Sequence, residues 1–374
     1  MRLWFCVVAV ALATAMLGIP AGAAARAHRT LAERLQAAVD AQVKGDVPGI
    51  AIRVVDPARH LNWRGASGRF ARGRSRSLRA GDAFRTASVT KTFTAAVVLR
   101  LVEQRRLGLD DGIGRFLDPA LVARVHVVDG VSHGAEITVR ELLNHTSGLY
   151  DYASDESWIR EVVSHPERAW TPLGLVDEAL ARGKPYFLPG KGFRYSDTGY
   201  VLLGLIVEKV TGRPLAEAYR RLVLDPLRLR HTYLEHWEHA PAGEPPRAHQ
   251  YLDKYDTWGW NPTFDTFGGG GLVSTAGDLT TFIRGLFGGR VFARRGTLAA
   301  MRVRNPFSGD YALGIEGVQK GASRHAPTVW GHDGFFGAFM YYWPARRISI
   351  TGSINTYSPN PKIVPAVLNV LTHP

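Results

Sequence analysis

The chain has 374 residues, enough for two domains or one large composite one. Hydrophobic residues make up 45% and charged residues 21%, an ordinary balance for a soluble globular protein. The formal net charge of +13 gives a basic exterior suited to anionic envelope polymers; no nucleic-acid-binding module is legible, so no nucleic acid partner is expected.

Met1-Arg2 precede an apolar run from Leu3 to Ile19 and then "PAGAAARA". A positive start, an apolar core and a small-residue end predict a secretory signal over residues 1–25, cleaved after Ala23, Ala25 or Ala27. The protein is therefore expected to be exported, either periplasmic or secreted. An uncleaved anchor is the competing reading, because the run is close to spanning length. The single cysteine, Cys6, lies in this segment. The mature chain is thus expected to hold no disulfide, thiol nucleophile or thiolate metal site.

A helix is predicted over residues 30–44, followed by two strands, 49–57 ("GIAIRVVDP") and 61–70 ("LNWRGASGRF"), joined by a short turn. Five arginines in "RFARGRSRSLR" (69–79) are interrupted by glycine and serine and read as a solvated loop. Next comes Ser88-Val89-Thr90-Lys91. Phe93, Ala96, Val97 and Leu101 recur at helical spacing, with no Gly or Pro from Ser88 to Leu107. Ser88 then sits at a helix start, where unpaired N–H groups suit developing negative charge. Lys91 stacks one turn behind it. Burial of that face would lower the lysine pKa and let a neutral amine take the serine proton. The alternative is an N-capping serine beside a solvated lysine.

Residues 110–260 are mixed, with helical stretches at 200–211 and 215–222. Tyr195 precedes the first of these, in "FRYSDTGYVLLGLIVEKVTG" (193–212), where a helix-entry tyrosine can reach a cleft. "HTYLEHWEH" (231–239) gathers His231, His236 and His239 with two glutamates but lacks the H-E-x-x-H register, and no metal is expected. Tyr251-Leu252-Asp253 is a rival Y-x-D without a following helix. In "TVWGHDGFFGAFMYYWP", His332-Asp333-Gly334 is expected to open a strand, with glycines allowing close backbone approach. Strands are predicted at 335–344 and 347–355, and a closing helix at 362–372. No G-x-S-x-G elbow is present. Strands at both ends with helices between predict an α/β protein of α+β type: one antiparallel sheet built from both termini, flanked by helices, with an inserted, mostly helical region.

Together, Ser88–Lys91, Tyr195-Ser196-Asp197 and His332-Asp333-Gly334 resemble the S-x-x-K, Y-x-N and K/H-x-G motifs, in that order, of the serine β-lactamase and penicillin-recognising family. The similarity is to the branch of class C β-lactamases, D-alanyl-D-alanine carboxypeptidases and related esterases and D-peptidases. "LLNHTSGL" (142–149) and "FGGGGLVSTAGDL" (267–279) also look like family signatures. Asp197 departs from the usual Asn, and Asp333 from a common hydroxyl residue. The resemblance implies one catalytic domain over 26–374, its sheet part near 28–85 and 266–374 and its helical part near 86–265. It implies acylation of Ser88, with Lys91, Tyr195 or both taking the proton. The oxyanion would sit between the N–H groups of Ser88 and Phe335, and Asp197, His332, Asp333 and Gly334 would line the substrate site. It implies no cofactor and no metal. A small peptide, β-lactam or ester would be the substrate, a cell-wall polymer is a candidate partner, and a monomer is expected. Asp197 and Asp333 are expected to disfavour carboxylate-bearing substrates, unless Arg302 or Arg304 compensates. A penicillin-binding sensor without turnover is the competing function.

Overall fold

The computed structural model describes residues 29–320, 327–357 and 362–373; the expected signal lies outside them. Both ends of the chain build one six-stranded sheet. Across it the strands run Glu316–Gln319, Thr328–Asp333, Ala338–Trp343, Ile348–Ser353, Gly49–Asp56 and Leu61–Gly68, each antiparallel to its neighbour. Ala51 pairs with Ser353 on one side and Ala66 on the other, so the first long strand becomes the partner of the last strand among the described residues.

Alternation along the strands gives the sheet two buried faces. Ile50, Ile52, Val54, Phe339 and Tyr341 pack on the terminal helices Leu31–Asp40 and Ile363–Thr372, through Leu35, Val39, Val367 and Leu371. Thr30 starts the first helix with a reciprocal capping box to Glu33. Ala338, Met340 and Tyr342 point the other way, into the larger core. There the helix Ala276–Phe287 lies on the sheet and stacks Phe282 on Phe93 at 3.7 Å between ring centroids. Phe93 belongs to the helix Thr90–Glu103, which is buried almost all round: its first residues bring Thr90, Lys91, Thr92 and Thr94 inside, and the residues from Ala95 to Leu99 are apolar. This helix packs in turn on Asp197–Thr211, which stops at Gly212 in the left-handed conformation (φ 68°).

The expected strands and the two terminal helices appear with boundaries shortened by a few residues, whereas the helix expected at 200–211 starts earlier, at Asp197, and the stretch expected at 215–222 is the helix Leu215–Tyr219 continued by a π-helical segment, Arg220–Leu224. Two strands of this sheet were not foreseen, Glu316–Gln319 and Thr328–Asp333. The expectation that His332-Asp333-Gly334 opens a strand is overturned. His332 and Asp333 close a strand, and Gly334 begins the turn to the next. "TVWGHD" is buried along most of its length and shows no polar alternation to mark it. The arginine-rich loop is mostly exposed, but Arg76 covers the Phe70 ring and pairs with Asp82, and Arg72 covers Tyr251. Of the histidine-rich stretch, His231 meets Glu244, Glu235 meets Arg85 and Glu238 meets Arg220.

Candidate active site

Ser88 sits where a two-residue strand, Phe84–Arg85, turns through the 3-10 segment Ala87–Val89 into the buried helix. The approach is held from several sides. Thr86 donates both its N–H and its hydroxyl to the Leu272 carbonyl. The buried Arg85 guanidinium pairs with Glu235 at 2.7 Å and donates to the carbonyls of Thr257 and Trp260. The Gln250 amide exchanges hydrogen bonds with the Arg85 backbone and donates to the Phe336 carbonyl at 3.2 Å. Ala87, fully buried, is forced to φ 44°, a conformation that costs of order 1–3 kcal/mol outside glycine. That strain lies immediately before Ser88 and is over-determined by these contacts.

Lys91 is completely buried. Its Nζ contacts Ser88 Oγ at 2.9 Å, donates to the Gly269 carbonyl at 2.8 Å and forms a close ion pair with Asp197. A carbonyl and a carboxylate can only accept, so two N–H bonds of Lys91 are committed and its third tetrahedral position faces Ser88. Tyr195 lies above, its ring centroid 4.8 Å from Nζ. Burial, with the Asp197 charge, raises the Tyr195 hydroxyl well above the ordinary tyrosine range, so it is a phenol at neutral pH.

The third motif holds its geometry through a defined tautomer. His332 Nδ1–H donates to the Asp333 carbonyl at 2.7 Å, so Nε2 accepts from the Tyr311 hydroxyl at 3.0 Å. Burial, and then the Lys91 charge, push His332 down to about 3, leaving it neutral. Asp333 accepts from Tyr341 at 2.6 Å and from Lys320 at 3.0 Å. Lys320, not Arg302 or Arg304, is thus its counter-charge; both arginines stack over Trp330. Gly334 passes so close to the turn that carries Ser88 that a Cβ there would lie 2.2 Å from the Thr86 carbonyl. Among the described residues, the N–H groups of Ser88 and Phe335 have no backbone acceptor.

A cavity of about 720 Å³ brings Ser88, Tyr195, Asp197, His332, Asp333, Gly334 and Phe335 together, with Lys91 directly behind Ser88. Trp158, Ile159, Val162, Leu252, Trp260 and Phe264 supply an apolar wall. Three carboxyl groups not foreseen from the sequence also line it: Asp151, Asp265 and Glu316. Asp151 accepts the Asp197 N–H at 2.9 Å, whereas the Asp265 side chain has no hydrogen-bond donor among the described residues. Burial pushes all three up to about 7, helped by the Asp197 charge at Asp151 and Asp265 and by the Asp333 charge at Glu316. Asp151 follows directly on the quoted "LLNHTSGL" and Tyr150, and Asp265 stands two residues before "FGGGG"; their place beside recognised stretches was the available signal.

A family model described as beta-lactamase matches residues 31–370. The chain belongs to the β-lactamase family. A D-stereospecific amidohydrolase from a Streptomyces species is 31% identical and superposes with a TM-score of 0.73, over 87% of this chain and 94% of its own. The D-amino acid amidase of Ochrobactrum anthropi, solved with L-phenylalanine amide, shares the fold at 24% identity and a TM-score of 0.76, covering 92% and 99% of the two chains. Among curated proteins, Esterase EstB of Burkholderia gladioli is 33% identical over 214 residues, 54% of this chain and 51% of its own. Penicillin-binding protein 4* of Bacillus subtilis is 28% identical over 257 residues, 64% and 53% of the two chains. The chain spans about half the length of these curated relatives. Membership of the β-lactamase family carries the general chemistry of a serine hydrolase acting on amides or esters.

Proposed function

We propose that this member of the β-lactamase family is an exported serine hydrolase that is acylated on Ser88 and favours amides or esters with a free ammonium group beside the scissile carbonyl. One observation carries the substrate preference. Asp151, Asp197, Asp265, Glu316 and Asp333 line the pocket, with no arginine or lysine among its described lining residues. Lys91 answers Asp197 and Lys320 answers Asp333. Asp265 is left in an apolar wall as the receptor for a substrate cation, a role that Asp197, committed to Lys91, does not fill. The similarity to an amidohydrolase and an esterase supports the amide and ester classes. A β-lactam or a D-alanyl-D-alanine end brings a carboxylate, which this pocket repels.

Chemically, Ser88 Oγ bonds to the carbonyl carbon as its proton passes to Lys91 Nζ, the position left open by Asp197 and Gly269. Attack therefore requires the proton shared within the Lys91–Asp197 pair to lie on the carboxyl. The oxyanion is received by the N–H groups of Ser88 and Phe335. The bond to the leaving nitrogen or oxygen breaks as that atom takes the Tyr195 phenol proton, which Lys91 replaces. Water then attacks acyl-Ser88 by the same route, and Ser88 Oγ leaves with a proton.

The test compares kcat/KM for an aromatic amino-acid amide, its N-acetyl analogue, a short-chain p-nitrophenyl ester and a chromogenic cephalosporin. The free amine should be preferred over its acetylated form by about 10–100-fold, a charged hydrogen bond's worth. Cephalosporin turnover above that of the other three would overturn the substrate reading. Ser88→Ala should abolish fluorophosphonate labelling and turnover; a labelled Ala variant would overturn the nucleophile.

A further inference from the structure

We infer that His145, buried behind the pocket, is the positioning residue for Tyr195, gripping the peptide groups on both sides of it; this rests on the acyl-enzyme reading above. The His145 carbonyl accepts the N–H of Arg194 at 3.1 Å, and its ring Nδ1 accepts the N–H of Ser196, also at 3.1 Å. The residues flanking Tyr195 are thus fixed by one side chain and its own backbone. The His145 ring lies against the Tyr195 ring at 4.2 Å between centroids, tilted by 33°. It also meets the Tyr311 ring in a T-shaped contact, 4.6 Å between centroids, and Tyr311 donates its hydroxyl to His332. One imidazole therefore sets the second motif directly and touches the residue that orients the third.

The grip demands a neutral ring. Nδ1 accepts only without a proton, so the proton sits on Nε2. A protonated ring would turn an N–H toward the Ser196 N–H and open the clamp. Burial holds His145 well below the ordinary histidine range, and the Lys91 charge acts in the same direction. His145 also occupies φ 61°, which histidine and asparagine tolerate better than most side chains.

The substitutions His145→Leu and His145→Asn separate positioning from bulk. Leu fills the space without an acceptor, while Asn offers an oxygen to the Ser196 N–H and accepts the backbone conformation. His145→Leu should lower kcat for a p-nitrophenyl ester by about 100-fold, the scale of a misplaced catalytic group, with KM moving less than about 3-fold. His145→Asn should recover activity to within about 10-fold of the parent. A folded Leu variant as fast as the parent overturns the inference, as does an Asn variant no faster than Leu when both melt near the parent temperature. If the Leu variant does not fold, nitrogen-15 NMR of the histidine-labelled parent decides. Signals of an Nε2–H tautomer persisting from pH 5 to 8 support the clamp, and a proton on Nδ1 at pH 7 overturns it. A parent protein that fails to label at Ser88 refutes the proposed function, while the tautomer measurement still judges the clamp.

Discussion

The proposed function makes Asp265 a side chain in which stability is set against recognition. An ordinary aspartate has a pKa of about 3.9, but burial and Asp197 push Asp265 up to about 7. The folded state binds this proton more tightly than the unfolded state does. Unfolding therefore releases it between about pH 4 and 7, and stability falls as pH rises through that window. Asp151 acts in the same direction. Asp265→Asn removes one such liability, so its melting temperature should exceed the parent's at pH 8, by the equivalent of about 1–2 kcal/mol, and approach the parent's near pH 4. Equal shifts at both pH values in thermal melts would contradict this. The same substitution should erode the preference for a free amine over its acetylated form. The three motifs that hold Ser88, Lys91, Tyr195 and His332 were legible because their spacing is local. The role of Asp265 was not, since it arises from an ion pair between Lys91 and Asp197, 106 positions apart, which leaves Asp265 without a counter-charge.

The hairpin joining Thr328–Asp333 to Ala338–Trp343 decides how closely the third motif approaches Ser88. Gly334 is its point of contact, 2.2 Å from the Thr86 carbonyl if a Cβ were added. The Thr86 backbone and the short Ala338 side chain, 3.2 Å away, leave no flexible end to give way. Gly334→Ala should thus push Phe335 away from Ser88, lowering kcat about 100-fold and stability by about 1–3 kcal/mol. Ester kinetics with urea unfolding would read both effects, and a rate within about 3-fold of the parent would show that the turn is slack. Strands such as Gly49–Asp56 and Ile348–Ser353 could be read from the sequence, because apolar and polar or small residues alternate along them although both faces are largely buried, as could the punctuated helices. Thr328–Asp333 could not, because "TVWGHD" carries no such alternation and merges into the strand that follows. The quoted "HTSGL" was recognisable as a stretch, yet the grip of His145 on residues 194 and 196 exists only once two loops meet.

The molecule carries separate cores on the two faces of its sheet. The smaller one, under the terminal helices, lies away from the cavity. Leu368 is 2% exposed there. Leu368→Ala should cost about 2–5 kcal/mol in urea unfolding and leave ester kinetics at the parent level below the transition. A matching loss of kcat would show the faces to be coupled. On the cavity side the parts are not independent, and Arg85 shows why. Its guanidinium ties the strand leading into Ser88 to Glu235 and to the carbonyls of Thr257 and Trp260, at the head of the segment that supplies Phe264 and Asp265 to the wall. The wall to which the proposed function assigns substrate selection is bolted to the turn that carries Ser88. Evolution has little room to retune one without jolting the other: a change in the 257–265 loop that admits a new side chain will tend to slow every substrate at once, old and new, until a second change restores the anchorage of Arg85.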